Sequence, residues 1–225
     1  MDVTYLGHST FLISSGGHQV LFDPFISGNP LSTLSPEKVN CTHMLISHGH
    51  SDHVLDAVSI AKRTGCEVYA AYEVVSWLEG QGVGNTHGMN HGGTFNTDFG
   101  WLKFVNAVHS STMPDGNPGG NPGGFVLNIE GKELYYAGDT SLTMDMELLG
   151  RYNQITLAFL PIGDVYTMGY EDAAIASELI QCDKIIGMHY DTYTPLRIDH
   201  EKAKKAFADK GKELILMPIG EKTTF

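Results

Sequence analysis

Four potential metal ligands lie within six consecutive positions directly after an apolar run: His48, His50, Asp52 and His53. In an extended chain His48 and His50 project to the same side, so two imidazoles can bind one ion. Asp52 and His53 would point apart in a strand, and they converge only if the chain turns into a helix there. That turn would place them beside the first ion. The spacing therefore favours a two-metal site over a single four-ligand site.

Three further candidate ligands each follow a predicted strand: His109, Asp139 and His189. Loops at strand ends are where a rigid sheet presents functional groups. A lone histidine at a strand end is nonetheless a structural residue in most proteins, and spacing alone leaves that interpretation open for His109 and His189. With the cluster at 48–53, the three residues would complete a site for two metal ions that activates a water for hydrolysis.

The elements that must position these residues are a mixture of strands and helices. The first three strands read as an antiparallel meander, and a later strand at 43–47 runs directly into the histidine cluster. Strands are predicted at residues 3–6, 10–13, 18–23, 43–47, 67–70, 101–108, 125–129, 133–137, 155–162, 184–187 and 213–217. Helices are predicted at 54–64, 72–79, 171–180 and 199–211, the last one capped by Asp199. Residues 80–93 and the tandem turn repeat at 117–124 are predicted as loops.

The composition predicts one folded α/β or α+β domain spanning residues 1–225. Apolar residues make up 42% of the 225 residues, which suffices for a core, and charged residues only 18%, which argues against disorder. No composition shift marks a domain boundary, so sheets inside and helices outside are the simplest architecture. The net charge of -12 argues against binding to nucleic acid, because such proteins present a basic face.

The sequence carries no signal for a membrane or an oxidising compartment. Its first residues lack a basic segment followed by an apolar stretch, and no window approaches 18 unbroken apolar residues. Cys41, Cys66 and Cys182 are widely spaced and form no Cys-x-x-Cys pair. We expect a cytoplasmic protein with reduced, buried thiols.

Residues 48–53 match the signature His-x-His-x-Asp-His, and here the sequence resembles the metallo-β-lactamase superfamily. The later candidates His109, Asp139 and His189 arrive in that superfamily's order. Further motifs resemble a small prokaryotic branch of metal-dependent hydrolases related to ascorbate-6-phosphate lactonase, at residues 7–10, 22–24, 137–140, 160–164 and 188–190. The resemblance spans nearly the whole chain and implies a four-layer αββα sandwich with the metals at one edge.

The resemblance also implies how the ligands are shared. His48, His50 and His109 would bind one ion. Asp52, His53 and His189 would bind the other, and Asp139 would lie between the two ions. Nitrogen and oxygen ligands of this kind accept several divalent metals, with zinc foremost and manganese, nickel or iron open.

The expected mechanism uses a hydroxide that bridges the two ions. Metal coordination lowers the pKa of bound water from about 15.7 to roughly 7, so hydroxide is available at neutral pH. Asp52 would act as the catalytic residue by ligating a metal and orienting this nucleophile. Two divalent ions, two carboxylates and one hydroxide leave the site close to a single positive charge, which can attract an electron-rich or anionic group.

Four residues are weaker candidates for a place around the metals. His8 lies between two early strands and could line the site or pack near Asp52, although a surface turn histidine fits its position equally. Asp23, before a proline, could accept a hydrogen bond from a ligand histidine, or simply form a turn. Asp164 belongs to a loop expected near the metals, together with Tyr166 and Met168. Arg197 could contact a substrate anion, although such residues are more often solvated surface charges.

The leading functional hypothesis is hydrolysis of a small ester, lactone or phosphodiester. Nuclease activity would usually require an inserted domain, and the 139–189 interval leaves no room for one. An iron-dependent oxidoreductase on the same scaffold is the main alternative, and a non-catalytic metal-binding or sensing protein is another. The expected partner is a small-molecule substrate, with no nucleic acid and no membrane, and a homo-oligomer remains open.

Overall fold

The computed structural model describes residues 1–225, which divide into two compact units. The first unit contains Met1–Gly93, Ser110–Pro122 and Pro218–Phe225. The second contains Thr94–His109 and Gly123–Met217. Each unit has its own seven-stranded sheet. The single domain expected over residues 1–225 stays a prediction.

The sheet of the first unit begins as an antiparallel meander and continues as a parallel sheet. Its strands are β1 Asp2–Gly7, β2 Thr10–Ser15, β3 His18–Phe22, β4 His43–Ile46, β5 Glu67–Ala71, β6 Thr86–Met89 and β14 Lys222–Thr224. Their order across the sheet is β14-β1-β2-β3-β4-β5-β6. Strands β14, β1, β2 and β3 pair antiparallel, whereas β3 to β6 run parallel. Strand β4, buried along its whole length, delivers the chain to the histidine cluster.

Three helices connect the parallel strands of the first unit: α1 Ser51–Val54, α2 Ala57–Thr64 and α3 Tyr72–Gly80. The sequence predicted a single helix over 54–64, and that prediction was wrong at its start. The helix is interrupted at Asp56, whose buried carboxylate accepts hydrogen bonds from the backbone N–H groups of Ile26 (2.6 Å) and Ser27 (2.9 Å). The predicted stop is confirmed, because Gly65 ends α2 with a left-handed backbone at φ 70°.

The sheet of the second unit repeats the same plan. Its strands are β7 Thr94–Thr97, β8 Gly100–Asn106, β9 Gly123–Ile129, β10 Lys132–Tyr136, β11 Ile155–Pro161, β12 Lys184–Met188 and β13 Glu213–Ile215. Their order is β13-β12-β11-β10-β9-β8-β7. Strands β7 to β10 pair antiparallel, and β10 to β13 pair parallel. Strands β8, β10 and β12 therefore point the same way, so their carboxyl ends share one edge of the sheet.

The second unit also has three helices: α4 Asp145–Tyr152, α5 Tyr170–Leu179 and α6 His200–Ala208. The predicted cap of α6 is confirmed, because the Asp199 carboxylate accepts hydrogen bonds from the N–H groups of Glu201 and Lys202, both at 3.1 Å. No helix in the chain has the length and apolar character needed to cross a membrane.

The elements missed by sequence reasoning are short and lie at sheet edges or on the surface. Residues 80–93, predicted as a loop, contain β6, and His87 lies on that strand. Strand β7 and helix α4 were not predicted. The strand predicted at 213–217 is present as β13, and the strand β14 that follows it was not predicted. Short polar edge strands lack the apolar alternation that reveals a buried strand.

The three cysteines match their prediction. Cys41, Cys66 and Cys182 are all buried and form no disulfide. The hydrogen bond with Cys66 and burial both raise the pKa of the Cys41 thiol, so the neutral thiol is favoured there. None of the three lies directly after a strand, where the candidate metal ligands are found.

Candidate metal centre

The loop after β4 brings two imidazoles of the first unit together. His48 is buried and His50 is half-buried. His48 Nε2 and His50 Nδ1 lie 2.9 Å apart. Two nitrogens bound to one tetrahedral zinc ion at about 2.0 Å would lie roughly 3.3 Å apart. The two nitrogens are therefore close enough to bind one ion.

Helix α1 places Asp52 and His53 beside this pair. The His48 and His53 rings lie 4.1 Å apart between centroids. His53 Nε2 is 4.0 Å from Asp52 Oδ2. His53 is fully buried, whereas the Asp52 side chain is 30% exposed and thus accessible to a substrate. All four candidates from the 48–53 cluster therefore meet, and the turn that the sequence required is the start of α1.

Asp23 orients one of these histidines. It follows β3, is completely buried, and accepts hydrogen bonds from the backbone N–H (2.7 Å) and the hydroxyl (2.5 Å) of Ser47. It also accepts a hydrogen bond from His53 Nδ1 at 2.7 Å. A carboxylate on one imidazole nitrogen fixes the ring and directs the other nitrogen towards a metal. Ligand atoms of Asp23, His48 and His53 all lie within 4.8 Å of one another.

His8 holds the Asp52 carboxylate. Its Nε2 lies 3.1 Å from Asp52 Oδ2, and its side chain is buried. The Tyr5 hydroxyl donates to the His8 carbonyl at 3.1 Å, and the His8 ring meets Phe25 edge-on. Of the two interpretations of His8, the structure favours packing near Asp52 over a surface turn.

Sequence reasoning missed two serines that follow His109. Ser110 Oγ lies 3.4 Å from His50 Nε2, and Ser111 Oγ accepts a hydrogen bond from the Gly49 N–H at 3.1 Å. A Cβ on Gly49 would overlap the sulfur of Met113, so glycine allows this segment to approach the cluster. The only sequence signal for these serines is their position directly after a candidate ligand.

The second unit brings its three candidates together around one carboxylate. Asp139 Oδ2 lies 3.0 Å from His189 Nε2 and 3.6 Å from His109 Nε2. The three residues follow β10, β12 and β8, whose carboxyl ends share one edge of the sheet. Asp139 and His189 are buried, and the His109 side chain is 14% exposed.

Asp164 and Arg197 lie on loops next to these residues but do not join the cluster. The Asp164 carboxylate accepts a hydrogen bond from the Val165 N–H at 2.8 Å. Its loop reaches the cluster through Met168, whose N–H donates to the Thr140 carbonyl at 3.0 Å. Arg197 is exposed, in a loop that Asp191 Oδ1 holds by accepting from the Ile198 N–H at 3.1 Å.

The donor set suits divalent transition metals. Each unit brings together imidazole nitrogens and carboxylate oxygens that are at least partly shielded from water. Such atoms are costly to bury in an apolar core. Imidazole suits zinc, copper, iron and nickel, while carboxylates also suit manganese. The residues present therefore fit a divalent metal.

Comparison with known proteins supports this interpretation. A family model described as a beta-lactamase superfamily domain matches residues 2–189. A protein of Christiangramia forsetii called a UPF0173 metal-dependent hydrolase is 49% identical over 223 residues, which cover 98% of each chain. A Thermus thermophilus protein with the same description is 42% identical over 221 residues, covering 98% of this chain and 97% of its own.

A solved structure agrees over the full length. Igni18, described as a novel metallo hydrolase from the hyperthermophilic archaeon Ignicoccus hospitalis, matches with a TM-score of 0.91 at 33% sequence identity. The match covers 100% of this chain and 97% of Igni18. The fold class predicted from the sequence is thereby confirmed.

Proposed function

Because this chain belongs to the metallo-β-lactamase superfamily, we propose that it is a metal-dependent hydrolase acting on a small-molecule substrate. The observation that carries the proposal is the gathering of buried imidazoles and carboxylates at the ends of strands in each unit. The proposed ligands are His48, His50, Asp52, His53, His109, Asp139 and His189.

We propose that these ligands hold two ions, zinc foremost. The division follows the superfamily resemblance: His48, His50 and His109 on one ion, with Asp52, His53 and His189 on the other. Asp139 would be shared. The short distance between His48 and His50 supports their assignment to one ion, and the Asp23 hydrogen bond supports His53 as a ligand through Nε2.

Divalent ions bound here would supply an activated water and a Lewis acid for the substrate oxygen. The chain's own residues supply orientation. Asp52, partly exposed and held by His8, would position the attacking water and accept its proton. Asp23 would keep the His53 ring in a single orientation and tautomer. The substrate class that fits is a small ester, lactone or phosphodiester.

Substitution of Asp52 and of His109 tests this proposal. We expect Asp52→Ala and His109→Ala to abolish hydrolysis in a screen of esters, lactones and phosphodiesters while circular dichroism shows a folded protein. His91→Ala is the matched control, because His91 is an exposed turn histidine whose Nε2 donates to the Pro122 carbonyl. Unchanged turnover in either ligand variant would refute the assignment.

Metal analysis of the purified protein tests the number of ions. We expect two divalent ions per chain in the wild type and fewer in the ligand variants. Iron together with dioxygen consumption would overturn hydrolysis in favour of an oxidoreductase.

A further inference from the structure

Six of the nine non-glycine residues with a left-handed backbone lie in segments that carry or adjoin the candidate ligands, whereas Asn85, Glu130 and Gln181 lie elsewhere. His8, Asp23 and His189 have φ values of 57°, 40° and 56°. Two more are consecutive, Asp164 at 62° and Val165 at 60°. This conformation is costly for a β-branched residue such as valine, and it persists only where the surroundings enforce it. Because such strain concentrates at functional sites, the Asp164–Val165 turn marks a loop with a function of its own.

Backbone hydrogen bonds within this loop hold its shape. The Tyr166 N–H donates to the Asp164 carbonyl at 2.6 Å, and the Asp164 N–H donates to the Met168 carbonyl at 3.2 Å. Met168 is buried and is tied in turn to Thr140, which follows Asp139. At the other end, a Cβ on Gly163 would overlap the His189 carbonyl. Both ends of the loop are therefore packed or bonded beside candidate ligands.

The tip of the loop exposes large apolar side chains. Val165 is 62% exposed and Tyr166 is 58% exposed. Two loops that carry candidate ligands in this unit do the same. Val108, which precedes His109, is 50% exposed, and Tyr193, four residues after His189, is 39% exposed. We call these four residues the apolar rim. The loops that carry His109 and His189 thus each contribute to the apolar rim. The loop that carries Asp139 is hydrogen-bonded to the loop of Val165 and Tyr166.

The charges of the second unit do not favour an anionic substrate at the rim. Lys103 lies in the middle of β8. Lys132 and Lys184 begin β10 and β12, whereas Asp139 and His189 follow the opposite ends of those strands. Other cations are committed to carboxylates: Arg151, Lys202, Lys204, Lys205, Lys210 and Lys212. Asp164 adds a carboxylate to the rim itself. Only Arg197 lies on a ligand loop, and recognition of a phosphate usually requires a convergent set of donors.

We propose that Val165 and Tyr166 are specificity-determining residues that contact an apolar acyl chain, so that the substrates are neutral alkyl esters or lactones rather than phosphodiesters. This inference rests on the proposed hydrolase function. In the reaction, a water oxygen bonds to the acyl carbon, the acyl carbon–oxygen bond breaks, and the departing alcohol takes a proton. The rim holds the part of the substrate that does not react.

A series of p-nitrophenyl esters from acetate to hexanoate, assayed with the metal-loaded protein, tests the inference. A fully buried methylene is worth up to about fourfold in kcat/KM, so we expect wild-type kcat/KM to rise about two- to fourfold per methylene. Tyr166→Ala and Val165→Ala should flatten this slope, mainly through KM. Tyr152→Ala is the control, because Tyr152 is 81% exposed on α4 and outside the rim, and its slope should equal the wild-type slope.

Two further measurements distinguish failure of this inference from failure of the proposed function. Turnover of bis-p-nitrophenyl phosphate above that of the hexanoate ester, and its loss in Arg197→Ala, would overturn the inference. Calorimetric binding of hexanoate and acetate to the metal-loaded protein needs no turnover, and we expect Tyr166→Ala to weaken hexanoate at least about threefold more than acetate. Selective hexanoate binding without hydrolysis of any ester would refute the proposed function alone. Equal effects on both acids would refute the rim.

Discussion

Asp23 is a buried residue that orients a proposed metal ligand through hydrogen bonds. Its carboxylate accepts three hydrogen bonds, two from Ser47 and one from His53. These bonds connect Ser47, which directly precedes His48, to His53 in α1. The backbone of Asp23 is itself left-handed, at φ 40°, so the chain accepts local strain to place the carboxylate.

The Asp23→Asn variant tests this role. An amide keeps the shape and can still accept from Ser47, but it is a weaker partner for His53 Nδ1. Loss of such a partner typically costs 10- to 100-fold in metal affinity, and we expect a decrease of about that size. Competition with a fluorescent chelator measures it. Asp172→Asn, on the exposed side of α5, should leave the affinity unchanged, and equal affinity in both variants would contradict the role.

The close approach of Gly163 to His189 leads to a second prediction about a single residue. A Cβ there would overlap the backbone carbonyl of His189, and backbone cannot move aside as a flexible side chain can. We expect Gly163→Ala to displace His189 and to lower kcat/KM on the order of 100-fold, as a misplacement of about 1 Å can do. Gly80→Ala is the control, because its Cβ would meet no atom within 4 Å. Normal metal content and turnover in Gly163→Ala would show that the His189 loop adjusts.

Local spacing predicted much of the candidate site, and the limits of that prediction are physical. The pair His48 and His50 could be read from strand alternation, because the residues are close in sequence. Ser110 and Ser111 could not, since their contacts with His50 and Gly49 bridge about sixty positions of sequence and exist only in the folded unit. Asp164 was expected near the metals. Its loop is hydrogen-bonded to Thr140, next to Asp139, and its carboxylate accepts a hydrogen bond from the neighbouring Val165 N–H, a contact that spacing does not predict.

At the scale of elements, both units use antiparallel strands followed by parallel strands. Strands β8 and β10 are both antiparallel to β9, and β10 is parallel to β11 and β12, so the carboxyl ends of β8, β10 and β12 lie at one edge and can each deliver one candidate ligand. The buried strands β4 and β11 were predicted from their continuous apolar sequence. The edge strands β6, β7 and β14 were missed, because their polar four- or three-residue segments carry no such pattern.

The cap of α6 gives a prediction at the element scale. The backbone N–H of Lys202 lowers the pKa of Asp199, with smaller help from the Lys202 charge and the N–H of Glu201. A lowered carboxylate pKa means that the stabilisation is complete above the usual pKa of about 3.9 and is lost as the pH falls through the lowered value. We expect Asp199→Ala to lower the Tm by about 2 to 4 °C at pH 7, measured by scanning calorimetry.

The contrast between two substitutions separates the cap from its charge. Asparagine is also a good cap, so Asp199→Asn should keep most of the stability at pH 7. Below pH 4 the wild type should lose part of its advantage over Asp199→Ala, whereas Asp199→Asn should not. A constant difference between wild type and Asp199→Ala down to pH 2.5 would show that the carboxylate charge does not contribute.

At the scale of the whole molecule, the proposed centre draws ligands from both units, so binding of metal should stabilise both. A ligand present at about 1,000 times its Kd stabilises a protein by about 4 kcal/mol. For a chain of this length, 1 kcal/mol shifts the Tm by roughly 2 to 4 °C. We therefore expect complete metal removal by a chelator to lower the Tm by roughly 8 to 16 °C.

Hydrogen exchange locates the effect of metal removal. Because His53 belongs to the first unit and Asp139 to the second, a shared centre predicts faster exchange after chelation in segments around both residues. Asp139→Ala should already exchange faster there and should respond little to the chelator. Faster exchange in one unit alone would mean that the ligands of the two units do not serve one centre. An unchanged Tm after verified metal loss would mean that the imidazole and carboxylate clusters are stable without an ion.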